Sequence, residues 1–267
     1  MVLLFAMLAH GVAADDLPFR YTHNLIWIKV NVAGRAEPLD FLFDTGAGTT
    51  VLNIDTAEKL GLKTGNSEVV RGVDSRTMAK WVKGFDAQVA GMPLERSLLT
   101  IDLSAEGKVC GHRIDGLLGA DFLKNRVVQI DYAAGKIRWL EHADAPTGAM
   151  VATLMKRRND GWCVAVSIAG KSRQWLRVDT GCDDTVRWVA RRPERLGGLH
   201  LERRTTVGWR AKTDVQFGGR FFGDVDIAVQ EKGMFPDEDG LLGNGLLSKF
   251  TVTVDNEKHV LLLKQKQ

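Results

Sequence analysis

The tripeptide Asp-Thr-Gly occurs twice in this chain of 267 residues, each time directly after an apolar strand pattern. The first copy begins at Asp44 in FLFDTGAGTT, and the second begins at Asp179 in WLRVDTGCDDT. Taking each residue at about 5–7% usage, a chance copy is expected on the order of 0.05 times in a chain this long. One copy indicates no more than a turn with a capping carboxylate, but two copies in the same setting indicate a repeated site.

The residues around the two motifs also match each other. The alternating apolar pattern at 26–32 matches that at 162–168 at an offset of 136, and DGLLG at 115–119 matches DGLLG at 239–243 at an offset of 124. Small insertions between matched landmarks are typical of loops in a duplicated domain. The sequence therefore predicts two homologous lobes related by a pseudo-two-fold axis.

Local patterns predict a β-rich chain with short helices. We expect strands at Asn24–Val32 and Leu39–Phe43, a short helix at Ile54–Leu60, and a polar loop at Ser104–Arg113. The predicted domain boundaries are a signal peptide at 1–14, an N-terminal lobe at 20–141, a linker at 142–150 and a C-terminal lobe at 151–267.

The N-terminus resembles a targeting signal. An apolar run from Val2 to Ala9 is followed by small residues that suit cleavage after Ala14, and the run is too short to span a bilayer. We therefore expect an exported protein, periplasmic or secreted. Because the usual positive segment is missing, the alternative is a cytoplasmic protein whose first residues form an edge strand.

Composition argues against several function classes. The formal charge of +3 is mild, and the basic residues are not interleaved with aromatic ones as in nucleic-acid readers, so no nucleic-acid partner is expected. None of the six His lies at ligand spacing from a Cys or another His, so neither a metal nor a cofactor is expected. No other stretch is long and apolar enough to be transmembrane.

Cys110, Cys163 and Cys182 are too few for a disulfide framework, although one pair could form.

Two like lobes place their carboxylates, Asp44 and Asp179, face to face across the pseudo-two-fold axis. Like charges at short range cannot both ionise, so we expect one pKa to rise, the other to fall, and the pair to hold one proton. The ionised partner can then act as general base on a water between them, and the protonated one can support the developing oxyanion. That chemistry hydrolyses amides without a covalent intermediate.

The residues after each Asp fit this arrangement. Gly46 and Gly181 let the two loops approach without a clash of Cβ atoms. Thr45 and Thr180 carry hydroxyls that can hydrogen-bond the opposing loop and fix the geometry. These four residues are the predicted loop-supporting set.

The sequence resembles the aspartic peptidases of the pepsin and retropepsin group. The resemblance rests on FLFDTGAGTTVLN and WLRVDTGCDDTVRW for the catalytic loops and on DGLLGADFL and DGLLGNGLL for the segments that support them. It implies an all-β fold of two retropepsin-like β-barrel lobes with short helices, and an active site in the cleft between them. It also implies a catalytic dyad of Asp44 and Asp179, a peptide or protein substrate, and a monomer that is a pseudo-dimer in one chain.

In this family a β-hairpin flap closes over the substrate. Gly72 with Val73 and Gly208 with Trp209 occupy matching places, so we expect one flap in each lobe, against the alternative of plain hairpin turns. No tyrosine stands at the flap position typical of pepsin.

The resemblance departs from pepsin next to the dyad as well. Pepsin-like enzymes often have a serine after Asp-Thr-Gly, whose hydroxyl lowers the pKa of the dyad, but this chain has Ala47 and Cys182. We therefore expect an endopeptidase with a weakly acid to neutral optimum. The competing hypothesis is an inactive pepsin-like module that binds a peptide or protein in the cleft.

Overall fold

The computed structural model describes residues 16–72, 76–145, 150–205, 208–233 and 235–266. The predicted signal peptide, Val73 and residues 146–149 of the predicted linker lie outside these ranges. The elements of the first half are β1 (Leu17–Pro18), β2 (Arg20–Thr22), β3 (Leu25–Val32), β4 (Leu39–Phe43), β5 (Val51–Asn53), α1 (Ile54–Lys59), β6 (Thr64–Arg71), β7 (Arg76–Lys83), β8 (Ala87–Val89), β9 (Met92–Pro93), β10 (Ser97–Ile101), α2 (Ser104–Cys110), β11 (Gly116–Leu118), α3 (Ala120–Leu123), β12 (Val127–Asp131) and β13 (Lys136–Leu140).

The second half repeats much of this order. Its elements are β14 (Met150–Leu154), β15 (Lys156–Arg158), β16 (Gly161–Ile168), β17 (Lys171–Val178), β18 (Val186–Val189), a 3-10 turn (Pro193–Arg195), β19 (Leu199–Arg204), β20 (Trp209–Phe217), β21 (Arg220–Gln230), β22 (Gly240–Leu242), α4 (Asn244–Leu247), β23 (Phe250–Asp255) and β24 (Val260–Gln265). No helix among the described residues is long and apolar enough to cross a membrane.

Each lobe is built on its own sheet. The first lobe has the strand order β6-β7-β10-β5-β11-β4-β3-β8-β9, with β2 added on β3. The second has the order β15-β16-β17-β22-β18-β21-β20-β19, and a further pairing of β16 with β20 closes it on itself. The predicted all-β, two-lobe fold is confirmed.

A third sheet joins the lobes. Its order is β1-β13-β12-β23-β24-β14, so that β12 of the first half pairs with β23 of the second, with Val128 opposite Val254. Buried apolar residues from both lobes form one continuous cluster. Because burial of such a surface dominates folding free energy, this core fixes the two lobes against each other.

Strand β3 is apolar on both faces, which is typical of a strand covered on both sides. Ile26 and Ile28 belong to the main core, while Leu25 and Trp27 point the other way into a separate cluster beside Leu42. The first lobe therefore has an apolar layer on each face of the strands that lead to its Asp-Thr-Gly loop.

One local prediction is wrong. Residues Ser104–Cys110 form helix α2, where the sequence predicts a loop. None of the helix residues is buried, so no apolar periodicity marks it in the sequence. Its C-terminal signal is Gly111, which has φ 61° and whose N–H donates to the carbonyl of Lys108.

Candidate active site

Each Asp-Thr-Gly loop begins where a central strand ends. The N–H of Asp44 donates to the carbonyl of Leu118 and that of Asp179 to the carbonyl of Leu242, both at 3.0 Å. These carbonyls belong to β11 and β22, which run parallel to β4 and β17. The two DGLLG segments therefore anchor the two loops in the same way.

The two threonines interlock the loops. The N–H of Thr45 donates to the Thr180 hydroxyl at 3.0 Å, and the N–H of Thr180 donates to the Thr45 hydroxyl at 3.1 Å. The Thr45 hydroxyl in turn donates to the carbonyl of Val178, and that of Thr180 to the carbonyl of Phe43. These four buried bonds cross between the lobes and fix the relative position of the loops.

The glycines bring each loop against the opposite carboxyl group. A Cβ atom at Gly46 would overlap the carboxyl group of Asp179, and one at Gly181 would overlap that of Asp44. The two carboxyl groups interact electrostatically, since the charge of Asp44 raises the pKa of Asp179. The structure therefore brings together both predicted catalytic residues and all four predicted loop-supporting residues.

The two carboxyl groups are not electrostatically equivalent. Asp44 accepts hydrogen bonds from the N–H groups of Gly46 and Ala47, both at 2.9 Å, whereas Asp179 accepts one from Gly181 at 2.8 Å. Burial raises the pKa of Asp44, and burial together with the charge of Asp44 raises the pKa of Asp179 well above its ordinary value. Since backbone donors stabilise a carboxylate, Asp44 is the member that ionises first.

The sequence-based expectation that one of the two pKa values falls is therefore wrong. Desolvation raises the pKa of both groups, and the charge of Asp44 and the smaller number of backbone donors make the rise larger at Asp179. The single shared proton remains the state that this geometry favours, with the proton on Asp179.

Sequence reasoning missed several polar side chains around the loops. Asn244, which is fully buried, donates from Nδ2 to the carbonyls of Thr180 and Asn24, both at 2.7 Å, and accepts from the Tyr132 hydroxyl. It stands in DGLLGNGLL where the first lobe has Ala120. A polar residue in one copy of an otherwise apolar repeat was the available signal.

A second missed feature lies two residues before Asp179. Arg177 interrupts the apolar strand pattern WLRVD, and its buried guanidinium pairs with Glu238. The matched residue of the first lobe is Leu42, so a comparison of the two copies was again the signal that could have found it.

The predicted flap residues lie on two long hairpins. Gly72 directly follows β6 in the β6–β7 hairpin, and Val73 lies outside the described residues. Gly208 directly precedes β20 in the β19–β20 hairpin, where its carbonyl accepts from the N–H of Thr205. Trp209, the first residue of β20, packs against the main core.

One group of potential metal ligands occurs in the part of the chain that the structure describes. Cys182, Asp183 and Asp184 have ligand atoms within 4.8 Å of one another. Asp184 is already paired with Arg187 at 3.0 Å and with Arg210. Burial raises the pKa of the Cys182 thiol well above its ordinary value, which keeps it neutral. The charges of this group are thus compensated within the protein.

Comparison with known proteins agrees with this geometry. Residues 28–122 match the family model described as Aspartyl protease. The chain superposes on the crystal structure of aspartic proteinase from Irpex lacteus with a TM-score of 0.60 and 14% identity, covering 96% of this chain and 98% of that one. None of the curated protein sequences matches significantly. The first lobe therefore resembles aspartyl proteases in sequence, and the chain as a whole shares the two-lobe fold of the Irpex lacteus proteinase.

Proposed function

We propose that this protein is an endopeptidase in which Asp44 and Asp179 activate a water molecule against a peptide bond. The observation that carries the proposal is the pair of interlocked loops, which hold the half-buried Asp44 and the buried Asp179 each against the glycine of the opposite loop. Two carboxyl groups that interact closely share one proton. The ionised member can then serve as a base and the protonated member as an acid.

The hydrogen bonds assign the two roles. Asp44, which accepts two backbone N–H bonds, is the carboxylate that takes a proton from the water. Asp179 carries the shared proton, donates a hydrogen bond to the carbonyl oxygen as it becomes an oxyanion, and its proton is available for the leaving nitrogen. The water attacks the peptide carbon directly, so no acyl-enzyme forms.

The same pKa directions support a weakly acid to neutral optimum. Activity requires the singly protonated pair, so it rises with pH through the lower apparent pKa and falls through the upper one. Burial raises the pKa of both carboxyl groups, which moves this window upward from the ordinary range of aspartate. A sharp optimum at strongly acid pH would contradict this part of the proposal.

The substrate is a peptide segment bound between the lobes. Val69 and Met78 face each other in register on the β6–β7 hairpin, and their exposed fractions are 61% and 58%. Exposed apolar side chains on a hairpin are suited to contact a bound chain. We assign this hairpin, with Gly72, as the flap of the first lobe.

The test is cleavage of an unfolded protein and a peptide library by the wild type and by Asp44→Asn. We expect the wild type to cut internal peptide bonds and the variant to lose at least about a thousandfold in kcat, because it lacks the general base. Asp86→Asn, at an exposed aspartate between β7 and β8, is the matched control and keeps full activity.

The competing hypothesis is a module that binds peptides without cutting them. Inactive relatives of this kind lose an Asp or its glycine, whereas this chain has both in both lobes. Peptide binding by wild type and Asp44→Asn alike, with cleavage by neither, would decide for the binding module. We also propose that the protein is exported; a mature N-terminus at Asp15, found by N-terminal sequencing, would agree with cleavage after Ala14.

A further inference from the structure

A buried ion pair lies directly behind the dyad. The side chains of Arg177 and Glu238 have exposed fractions of only 3% and 1%. The guanidinium is bidentate to the carboxylate, with Nε to Oε2 at 2.9 Å and Nη2 to Oε1 at 2.6 Å. Such a pair contributes little net stability, because desolvation of two charges offsets their attraction. Its position therefore calls for a role other than stability.

The third donor of Arg177 crosses to the other lobe. Its Nη1 donates to the carbonyl of Gly46 at 2.7 Å. The N–H of the same Gly46 donates to Oδ1 of Asp44 at 2.9 Å. One residue of the first lobe's loop is thus bound on its N–H side to the carboxylate and on its carbonyl side to the guanidinium.

The guanidinium is enclosed so that it cannot turn away. The ring of Phe235 lies on one side, with the guanidinium carbon 3.9 Å from the ring centroid. Gly161 lies against the group as well, so closely that a Cβ atom there would overlap it. Asn159 donates to Oε1 of Glu238 at 2.9 Å and fixes the carboxylate in turn. The planar fork of arginine is therefore held in one orientation.

We propose that Arg177, oriented by Glu238, is a positioning residue for the dyad. It fixes the first lobe's catalytic loop through the Gly46 carbonyl and places a permanent positive charge beside both aspartates. The proposal rests on the proposed endopeptidase function. It adds an asymmetry between the lobes, because the second lobe supplies this charge whereas the first lobe has Leu42 at the matched position.

Arg177 is a cation whose charge acts on both carboxyl groups of the dyad. Its positive charge lowers the pKa of both Asp44 and Asp179 against the larger effect of burial. The other groups packed here are the thiols of Cys163 and Cys182, Glu238, the Arg187–Asp183–Asp184 cluster, Arg158 on β15, and Asp160 beside Gly48. Burial raises the pKa of Cys163 to about 12, so this thiol is neutral at the pH values that matter here.

The experiment compares three variants by the titration of the dyad and by the pH dependence of kcat/KM. Arg177→Leu/Glu238→Ile removes both charges and installs the pair that the first lobe has at Leu42 and Ile114. Glu238→Gln leaves the cation without its counter-charge, and Arg177→Lys keeps the charge but not the fork. The dyad is titrated by carbon-13 NMR of labelled aspartate, with its signals assigned from their loss in Asp44→Asn and Asp179→Asn.

We expect the double variant to raise the dyad pKa values and move the acid limb of the profile upward by about half a pH unit or more. Glu238→Gln should lower the dyad pKa values and move the acid limb of the profile to lower pH by a similar amount. Arg177→Lys should leave the pKa values in place but lower kcat roughly tenfold with little change in KM, because the Gly46 contact is lost. Arg96→Gln/Asp86→Asn, which removes an exposed ion pair, is the control and should change neither readout.

Two results would overturn the inference. The first is a folded double variant whose dyad pKa values and pH profile equal those of the wild type. The second is a shift of the dyad pKa values in the same direction in Glu238→Gln and in the double variant. If the double variant does not fold, the two single variants still test the inference. Unchanged dyad pKa values in Glu238→Gln would exclude the electrostatic role of the ion pair, and unchanged kcat in Arg177→Lys would exclude the positioning role of Arg177. If the wild type cleaves nothing, the proposed function fails, and the NMR titration still tests the effect of Arg177 on the dyad.

Discussion

The two lobes carry the same loop but support it with opposite chemistry. Behind the first loop, Leu42 packs with Leu25, Trp27 and Ile114 in a small apolar cluster. At the matched positions behind the second loop, the residues are Arg177, Gly161, Cys163 and Glu238. The small Gly161 and Cys163 stand where the first lobe has Leu25 and Trp27, and this leaves room for the guanidinium.

This difference shows that a pseudo-symmetric site need not be used symmetrically. The interlocked threonines are equivalent in both directions, and they set the distance between the loops. The backbone donors are not equivalent, and they favour ionisation of Asp44, while the buried ion pair is present only at the second of the two matched sites. The spacing of the two loops is thus set by contacts that are the same in both lobes. The difference between the pKa values of the two aspartates is set by contacts that differ between the lobes.

The largest expected effects test the roles of the two aspartates. Asp44→Asn and Asp179→Asn should each lower kcat by about a thousandfold or more, because each removes half of the acid–base pair. Their stabilities should differ. A carboxyl group whose pKa is higher in the folded than in the unfolded chain contributes stability at low pH. That stability is lost as the pH rises through the folded pKa, by about 1.4 kcal/mol for each pH unit between the two pKa values.

Asparagine cannot ionise, so it avoids this loss. Asp179→Asn should therefore be more stable than wild type at neutral pH, and by more than Asp44→Asn, since the pKa of Asp179 is raised further. Urea denaturation at pH 4 and pH 8 measures both differences. A larger gain for Asp44→Asn would reverse the assignment of the shared proton.

The next effect distinguishes a buried charge from an apolar contact. Arg177→Leu alone leaves Glu238 buried without its counter-charge and should lower the free energy of unfolding by about 3–5 kcal/mol. The double variant Arg177→Leu/Glu238→Ile should recover most of that loss. Chemical denaturation of the two variants checks this, and equal instability of both would mean that the apolar packing of the first lobe does not transfer to the second.

The threonine network should respond equally from either side. Thr45→Ala and Thr180→Ala each leave an N–H and a carbonyl of the opposite loop unpaired in a buried site, at a cost of about 1–3 kcal/mol for each unpaired group. Thermal or urea unfolding measures the loss, with the exposed Thr64→Ala as control. Clearly unequal losses would show that the lobes do not share this network equally.

The smallest effect concerns the two hairpins. Strand β6 is an edge strand with almost every residue exposed, whereas β20 pairs with β19, β21 and β16 and is tied through Arg210 to Asp184. We expect faster amide hydrogen exchange in β6–β7 than in β19–β20. Arg210→Gln should speed exchange in the second hairpin only. Equal protection of both hairpins in the wild type would instead favour two equivalent flaps.

Sequence periodicity located the central strands closely because their apolar faces are buried. The prediction at Leu39–Phe43 coincides with β4, and that at Asn24–Val32 differs from β3 by one residue. Helix α2 was missed because it buries no residue and so leaves no apolar pattern. The pairing of β12 with β23 was also beyond the sequence, since each hairpin reads as complete on its own.

The sequence by itself determined that Asp44 and Asp179 belong to one site, because two rare motifs recur with their supporting DGLLG segments in the same order. Only the tertiary structure decided how the pair differs. Burial raises both pKa values, and the contact of Arg177 with Gly46 brings together atoms from distant parts of the chain. The sequence motifs indicate which residues form the site. The pKa values of the two aspartates depend on desolvation and on charges a few ångströms away, and both are properties of the folded molecule.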